Sequence, residues 1–358
     1  MTVPTGARAL APLLRLGLLL SLLAPVTLTA WSEPAVAGVP STPVAARAGA
    51  PLVQRVNVSW EGTRKKRVVE KSAVIPGIGN VTLVCKPSST MVRLYANDRS
   101  AETQMWLAKY ETKNDHAVVA VKNARIYRYA NADDSGLGGT GSFAHEGLNQ
   151  QTPIEDYSSG HLQGVISQRP GRHQAAGGVT PPPATSFTLN WWWTGFRHDL
   201  DWRSCSMSAV FTTQLDERIG VSWHGDADAA GHLTQQIPVE GIGDILVRCD
   251  NDPDANGSAG QGGEQTIAIQ PVADVASVYV EYVTGEGLVE DHVEELSLAR
   301  DPVTGLLGPL PLPRNGMMRL FVTVGGVERD YVLSSYYVTN NAKQPQLNVC
   351  EVAAALTS

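Results

Sequence analysis

The sequence predicts an all-β protein of two tandem, homologous β-sandwich domains, Greek-key or jelly-roll-like, each with one intradomain disulfide. Two observations predict this fold. The 358-residue chain contains the same passage twice, and its apolar residues alternate in short runs that end at Gly- or Pro-containing turns. Such runs are typical of β-strands, and no stretch keeps a capped apolar period of 3.6 residues. We therefore expect two copies of one strand-rich fold.

The duplication is visible at three places along the chain. In each copy a Val-Ser-Trp passage comes first, a Gly-Ile-Gly passage with an early cysteine follows, and an aromatic run precedes a late cysteine. Residues 58–62 match residues 221–225. Residues 77–79 with Cys85 match residues 241–243 with Cys249. Residues 191–193 with Cys205 match residues 335–337 with Cys350. The copies thus define domain 1 as residues 53–215 and domain 2 as residues 216–358.

The N-terminal 37 residues are predicted to be a signal peptide. Residues 16–23 are an apolar run that is too short to span a membrane, and Ala35-Val36-Ala37 matches a cleavage site. Residues 38–52, rich in Ala, Pro, Gly and Thr, are predicted to be a flexible lead-in. No later segment is long and apolar enough to form a membrane span after signal cleavage. We therefore expect a secreted, extracellular or cell-surface protein.

The two copies differ mainly in their connections. Domain 1 is predicted to contain a long loop over residues 131–186, whereas domain 2 has a tight Gly325-Gly326 hairpin at the corresponding place. Long loops on a rigid scaffold often carry function, and they are also where sequence drift is tolerated. Both interpretations stay open for this loop.

The four cysteines are predicted to form two disulfides, because an exported protein meets an oxidising environment. Four cysteines allow three pairings. If each copy folds alone, Cys85 pairs with Cys205 and Cys249 pairs with Cys350. Each bridge would then contribute roughly 4–5 kcal/mol in the chain-entropy model. The sequence has no Cys-x-x-Cys or Cys/His cluster, which argues against structural zinc.

Charge is divided unequally between the halves. Residues 53–215 hold 18 basic and 13 acidic residues, a net charge of +5, and residues 216–358 hold 7 and 21, a net charge of −14. Surfaces of opposite charge attract each other, so we predict a charge-complementary contact between the domains or between molecules. The alternative is plain solubility with unequal drift. The basic stretch 64–67 is too short to indicate nucleic-acid binding in an acidic exported protein.

One acidic passage is a candidate calcium loop. Carboxylates and an amide alternate at Asp252, Asp254 and Asn256 and precede Gly257, as in the first half of an oxygen-rich calcium site. The glutamate that would close an EF-hand loop comes one residue late, at Glu264, so we expect at most a simpler surface site. An ordinary solvated turn remains the alternative.

The densest aromatic passage offers candidate ligand-binding residues. On a strand, Trp191 and Trp193 share one face, and planar rings at this spacing can stack on sugars. Trp193 aligns with Tyr337 of the other copy whereas Trp191 aligns with Ser335, so we expect Trp191 to be the more exposed ring. The other interpretation places both rings in the core or between the domains.

Catalysis has little support in the sequence. No Gly-x-Ser-x-Gly elbow or His-Glu-x-x-His motif is present, and nothing places two carboxylates across a substrate. We therefore predict a non-enzymatic secreted or cell-surface protein, without a cofactor, that acts by macromolecular contact or self-association. The alternative is an extracellular carbohydrate-binding protein, assisted by calcium; an exported hydrolase is a third hypothesis. The Gly-Ile-Gly…Cys strand resembles passages in exported bacterial proteins of unassigned role, a resemblance that implies no activity.

Overall fold

Strands dominate the part of the chain that the computed structural model describes, and this part is all-β as predicted. The described residues are 50–62, 68–86, 89–113, 116–126, 143–149, 157–169, 183–194, 203–215, 218–224, 232–250, 265–284, 292–339 and 347–357. Within these ranges, no helix has the length and apolarity that crossing a membrane would require.

The first half of the chain forms two antiparallel sheets. Its strands are β1 (Leu52–Gly62), β2 (Val69–Ile75), β3 (Gly79–Cys85), β4 (Thr90–Ala96), β5 (Glu102–Lys113), β6 (His116–Ile126), β7 (Phe143–Gly147), β8 (Tyr157–Arg169), β9 (Ala184–Thr194) and β10 (Arg203–Thr213). One sheet has six strands in the order β1-β10-β9-β8-β5-β6, and the other has four strands in the order β2-β3-β4-β7.

The second half repeats this topology strand for strand. Its strands are β11 (Ile219–His224), β12 (His232–Val239), β13 (Gly243–Asp250), β14 (Gln265–Pro271), β15 (Ala276–Thr284), β16 (His292–Ala299), β17 (Leu307–Pro311), β18 (Asn315–Val324), β19 (Val327–Val338) and β20 (Val349–Leu356). The sheet orders are β11-β20-β19-β18-β15-β16 and β12-β13-β14-β17. Each order is that of the first half with every strand number raised by ten.

Each half has its own apolar core, which draws side chains from both of its sheets. In the first half, fully buried Leu83 and Leu94 come from the four-stranded sheet, and Leu107 comes from the six-stranded sheet. Strand alternation explains this arrangement, since every second residue of these strands is apolar and faces the opposite sheet. The second half has the corresponding core.

A disulfide joins the two sheets in each half. Cys85 of β3 is bonded to Cys205 of β10, and Cys249 of β13 is bonded to Cys350 of β20. The predicted pairing and the presence of one disulfide per half are therefore confirmed.

The recurrent Gly-Ile-Gly passage forms a tight turn, and its isoleucine side chain is buried in the core. Gly77 has φ of 75°, in the left-handed region that favours glycine, and Ile78 is fully buried. A Cβ on Gly79 would lie 1.9 Å from the backbone oxygen of Tyr95. The equivalent Gly243 is equally constrained, since its Cβ would lie 2.0 Å from the oxygen of Gln270. The turn therefore requires this sequence in both copies.

The predicted loop over 131–186 is not continuous. Strands β7 and β8 lie within it, and β9 begins at Ala184. Strand β8 was not predicted because it has glycines at two positions where neighbouring strands approach closely. A Cβ on Gly160 would lie 2.3 Å from the Trp191 ring, and a Cβ on Gly164 would lie 2.0 Å from the backbone oxygen of Trp106. The Gly325-Gly326 hairpin is confirmed, with positive φ at both residues between β18 and β19.

The two six-stranded sheets contact each other through their outer faces, and the described residues of both halves form one compact unit. A third apolar cluster lies at this contact and takes residues from both halves. Its buried members are Trp106, Ala108, Val121, Val165 and Ala184 of the first half and Val283, Met317, Val332, Ala353 and Ala355 of the second. The halves thus share an apolar interface in addition to their separate cores.

Candidate functional site: an arginine–aromatic face

The tryptophans predicted to bind a ligand lie in the core of the first half. Trp191 and Trp193 are only 3% and 5% exposed. Strand β9 lies between β8 and β10, and its inward residues face the four-stranded sheet. The indole Nε1 of Trp191 donates a hydrogen bond to Ser158 Oγ at 3.2 Å. The expectation that Trp191 is exposed is therefore wrong, because its strand face is turned into the core and Gly160 of the neighbouring strand leaves room for the ring. The equivalent Ser335 is buried as well.

The candidate calcium ligands Asp252, Asp254 and Asn256 lie outside the described residues. Within the ranges that the structure describes, no group of three or more His, Cys, Asp or Glu side chains could hold a metal ion. The calcium loop therefore stays a prediction.

An exposed aromatic surface of the first half lies on the outer side of its four-stranded sheet. Neighbouring strands β4 and β7 turn Val92, Leu94 and Ala144 into the core, so their alternate residues point outward. We call the outward set, together with one carboxylate from β2, the arginine–aromatic face. Its members are Glu70, Met91, Arg93, Tyr95, Phe143 and His145.

Arg93 lies at the centre of this face. Its guanidinium carbon is 5.3 Å from the ring centroid of Phe143 and 6.0 Å from that of Tyr95, within the range of a cation–π contact. Its Nη1 donates a hydrogen bond to the Tyr95 hydroxyl at 3.1 Å and lies 3.8 Å from Glu70 Oε1. Nη2 approaches the sulfur of Met91 at 3.8 Å. These contacts hold the guanidinium beside the rings.

The rings form a short row beside the guanidinium. The centroids of Tyr95 and Phe143 are 5.6 Å apart with planes inclined by 48°, and those of Phe143 and His145 are 6.2 Å apart. Phe143 is 43% exposed, and His145 is exposed as well. The Phe143 ring therefore leaves part of its apolar surface open to solvent beside the Arg93 guanidinium.

The second half provides an internal control for this face. The residues of β14 that correspond to Arg93 and Tyr95 are Ala268 and Gln270. In each half the two residues lie three and five positions after the residue that pairs with the early cysteine, which is Thr90 in the first half and Gln265 in the second. Both halves nevertheless have the same topology. The arginine and the tyrosine are therefore not required for the fold.

The first half also contains a buried ion cluster on the inner side of the same sheets. Lys109 Nζ lies 3.6 Å from Glu111 Oε2 and 3.5 Å from Glu146 Oε1. Burial raises the pKa of Glu146, while Lys109 and Lys122 oppose this rise. Lys109 pairs with both carboxylates and Lys122 adds a second positive charge near Glu146, so we assign this cluster a structural role.

A second arginine–aromatic contact lies on the outer face of the second six-stranded sheet. The Arg319 guanidinium carbon is 4.7 Å from the ring centroid of Phe321, and Phe321 is 5.6 Å from Tyr279. Glu281 forms an ion pair with Arg319. Phe321 is half-buried, unlike exposed Phe143. This contact therefore provides a matched control for mutations of the arginine–aromatic face.

Comparison with known proteins gives no match, so a functional proposal depends on the structural features described above. No family model matches the chain, and neither a curated protein nor a solved structure matches it.

Sequence reasoning missed the arginine–aromatic face because it joins residues about 50 positions apart. The alternation Met91-x-Arg93-x-Tyr95 was a usable signal, since it places three amphipathic side chains on one face of a strand. Phe143 and His145 fell inside the predicted loop, so their pairing with β4 had no signal in the sequence.

Proposed function

We propose that the chain is an exported protein of two homologous β-sandwich domains that binds a carbohydrate through the arginine–aromatic face, without catalysing a reaction. Two facing sheets and one disulfide in each half support the domain assignment. The disulfides and the N-terminal signal pattern support export. The observation that carries the binding proposal is exposed Phe143, held against Arg93 beside Tyr95.

The chemistry of the face suits an uncharged sugar. The ring of Phe143 offers an apolar surface to the C–H face of a pyranose, as aromatic side chains with one wet side do at interfaces. Arg93 supplies hydrogen-bond donors and Glu70 supplies acceptors for neighbouring hydroxyls. Because the two charges cancel, we expect a neutral polysaccharide to bind more tightly than an acidic one.

Binding is expected to depend on Phe143. In affinity electrophoresis through gels containing neutral or acidic soluble polysaccharides, at least one neutral polymer should retard the mature protein. Phe143→Ala removes the stacking surface and should weaken this retardation about tenfold, since single aromatic anchors dominate such contacts.

The control is Phe321→Ala, which removes a ring from the second arginine–aromatic contact and should leave retardation unchanged. Binding that is equal in the wild type and in Phe143→Ala would contradict the proposal, as would the absence of retardation by every polymer. Hydrolysis of any polymer in the panel would contradict the non-enzymatic part alone.

Self-association is the second candidate function. Edge strand β16 exposes Glu294 and Glu295, and edge strand β1 exposes Arg55. Opposite charges on these two edge strands would favour a head-to-tail contact between copies. Light scattering across a salt series tests this: association at low salt that disappears at high salt supports it, and a monomer at every salt concentration excludes it.

A further inference from the structure

A group of polar side chains, all buried except half-buried Tyr336, lies in the contact between the two six-stranded sheets. We call it the interface polar cluster, and it takes residues from both halves. Its members are Glu102, Gln104, Ser167 and Arg169 of the first half and Ser334, Tyr336 and Glu351 of the second. Arg169 is 4% exposed and Glu351 is inaccessible to solvent. Charges in such a place must be balanced within the protein.

The charge of Arg169 is balanced by one carboxylate. Its Nε donates a hydrogen bond to Glu102 Oε2 at 2.6 Å, and its Nη2 forms an ion pair with the same oxygen. On the other side of the interface, the Tyr336 ring centroid lies 3.4 Å from the guanidinium carbon. Arg169 therefore connects the halves by stacking while its charge is matched within the first half.

Glu351 is the second carboxyl group of the cluster. Its Oε2 accepts a hydrogen bond from Gln104 Nε2 at 3.4 Å, and its Oε1 has no hydrogen-bond partner in the described part of the chain. The hydroxyl of Ser167 instead forms hydrogen bonds with Gln104 Nε2 at 3.3 Å and with Ser334 Oγ at 2.9 Å. The charged or titratable groups that face it from the packed strands are Arg169 of β8, Glu102 of β5 and Tyr336 of β19.

Charge balance makes Glu351 the neutral member. The cluster holds one permanent cation and two carboxyl groups, so ionisation of both would leave an unmatched negative charge away from water. Burial is the main cause that raises the pKa of Glu351, to about 8, with Arg169 opposing the rise and Glu102 adding to it. In the first half the residue after the late cysteine is exposed Ser206, so the fold does not require a carboxyl group here.

We propose that Glu351 makes the contact between the two halves sensitive to pH. As a neutral acid it permits the six-stranded sheets to pack, and its ionisation in alkaline solution places an unmatched charge in the interface and loosens the contact. Exposure of a carboxylate to water then stabilises the loosened arrangement. The protein would be compact at acidic to neutral pH and more open in alkaline surroundings.

The direction of the pH effect follows from linkage. The pKa of Glu351 is higher in the folded protein than in an unfolded chain. The contribution of Glu351 to the free energy of unfolding is therefore complete below the unfolded pKa of about 4.5, and it is lost as the pH rises through the folded pKa of about 8. Between these limits the unfolded state releases a proton that the folded state retains.

Thermal unfolding of the mature protein from about pH 5 to about pH 9 tests the proposal. The midpoint of the wild type should fall by several degrees across this range. Glu351→Gln keeps the neutral shape of the side chain and should remove most of that fall. The matched control is Glu328→Gln, which removes an exposed carboxylate from the same sheet and should keep the wild-type pH dependence.

Equal pH dependence in the wild type and Glu351→Gln would overturn the proposal. Infrared spectroscopy of the folded protein gives a second test. We expect a protonated carboxylic acid band at neutral pH that disappears as the solution becomes alkaline and that is weaker in Glu351→Gln, since Glu146 is another largely buried carboxyl group with a raised pKa. A wild-type spectrum without this band, or an equal band in Glu351→Gln, would overturn the proposal.

Discussion

Trp106→Ala is expected to lower the free energy of unfolding by about 3–5 kcal/mol, the usual cost of deleting a buried tryptophan side chain. Trp106 lies on β5, is 1% exposed, and belongs to the apolar cluster between the two halves. It faces away from the core of its own half. The loss would therefore weaken the contact between the halves, and chemical denaturation should show two separated transitions.

Tyr279 provides the matched control for this variant. It occupies the position on β15 that corresponds to Trp106 on β5, since each pairs with the equivalent residue of the neighbouring strand. Tyr279 is only half-buried, so Tyr279→Ala should cost much less. Equal effects of the two variants, or an unchanged single transition in Trp106→Ala, would show that the interface contributes little to stability.

Loss of the first disulfide, by Cys85→Ala with Cys205→Ala, is expected to destabilise the first half by about 4–5 kcal/mol in the chain-entropy model. The bridge closes a loop with a sequence separation of 120 residues and joins the two sheets of that half. Because the first half supplies one side of the apolar interface, the second half should also melt at a lower temperature. Differential scanning calorimetry measures both effects.

The second disulfide gives the comparison. Cys249→Ala with Cys350→Ala opens a loop with a sequence separation of 101 residues and should have an effect of similar size. If removing the first bridge leaves the transition of the second half in place, the halves fold independently and the shared apolar cluster does not couple them.

The parts of the fold that could be predicted from sequence are those repeated in both copies. The pairing of Cys85 with Cys205 follows from duplication, because each copy has one early and one late cysteine. The Gly-Ile-Gly turn is also predictable, since it needs a positive φ at Gly77 and no Cβ at Gly79. The all-β class is predictable as well, because the alternation of apolar and polar residues along a strand is a local property of the sequence.

The rest depends on contacts between distant residues. Strand β8 looks like a loop because Gly160 and Gly164 accommodate Trp191 and the backbone of Trp106. The burial of Glu351 depends on how two sheets pack, which no local pattern records. Copy-to-copy comparison correctly aligned Trp191 with Ser335, but alignment shows equivalent places and does not show exposure.

The most direct test of the binding proposal is hydrogen–deuterium exchange of the mature protein with and without a neutral oligosaccharide from the polymer that retards it most. The proposal predicts slower exchange confined to β4 and β7, the strands that carry Arg93, Tyr95 and Phe143. Phe143→Ala should abolish this protection. Protection at another surface, for example at β15 and β18 around Phe321, would contradict the assignment of the arginine–aromatic face as the binding site.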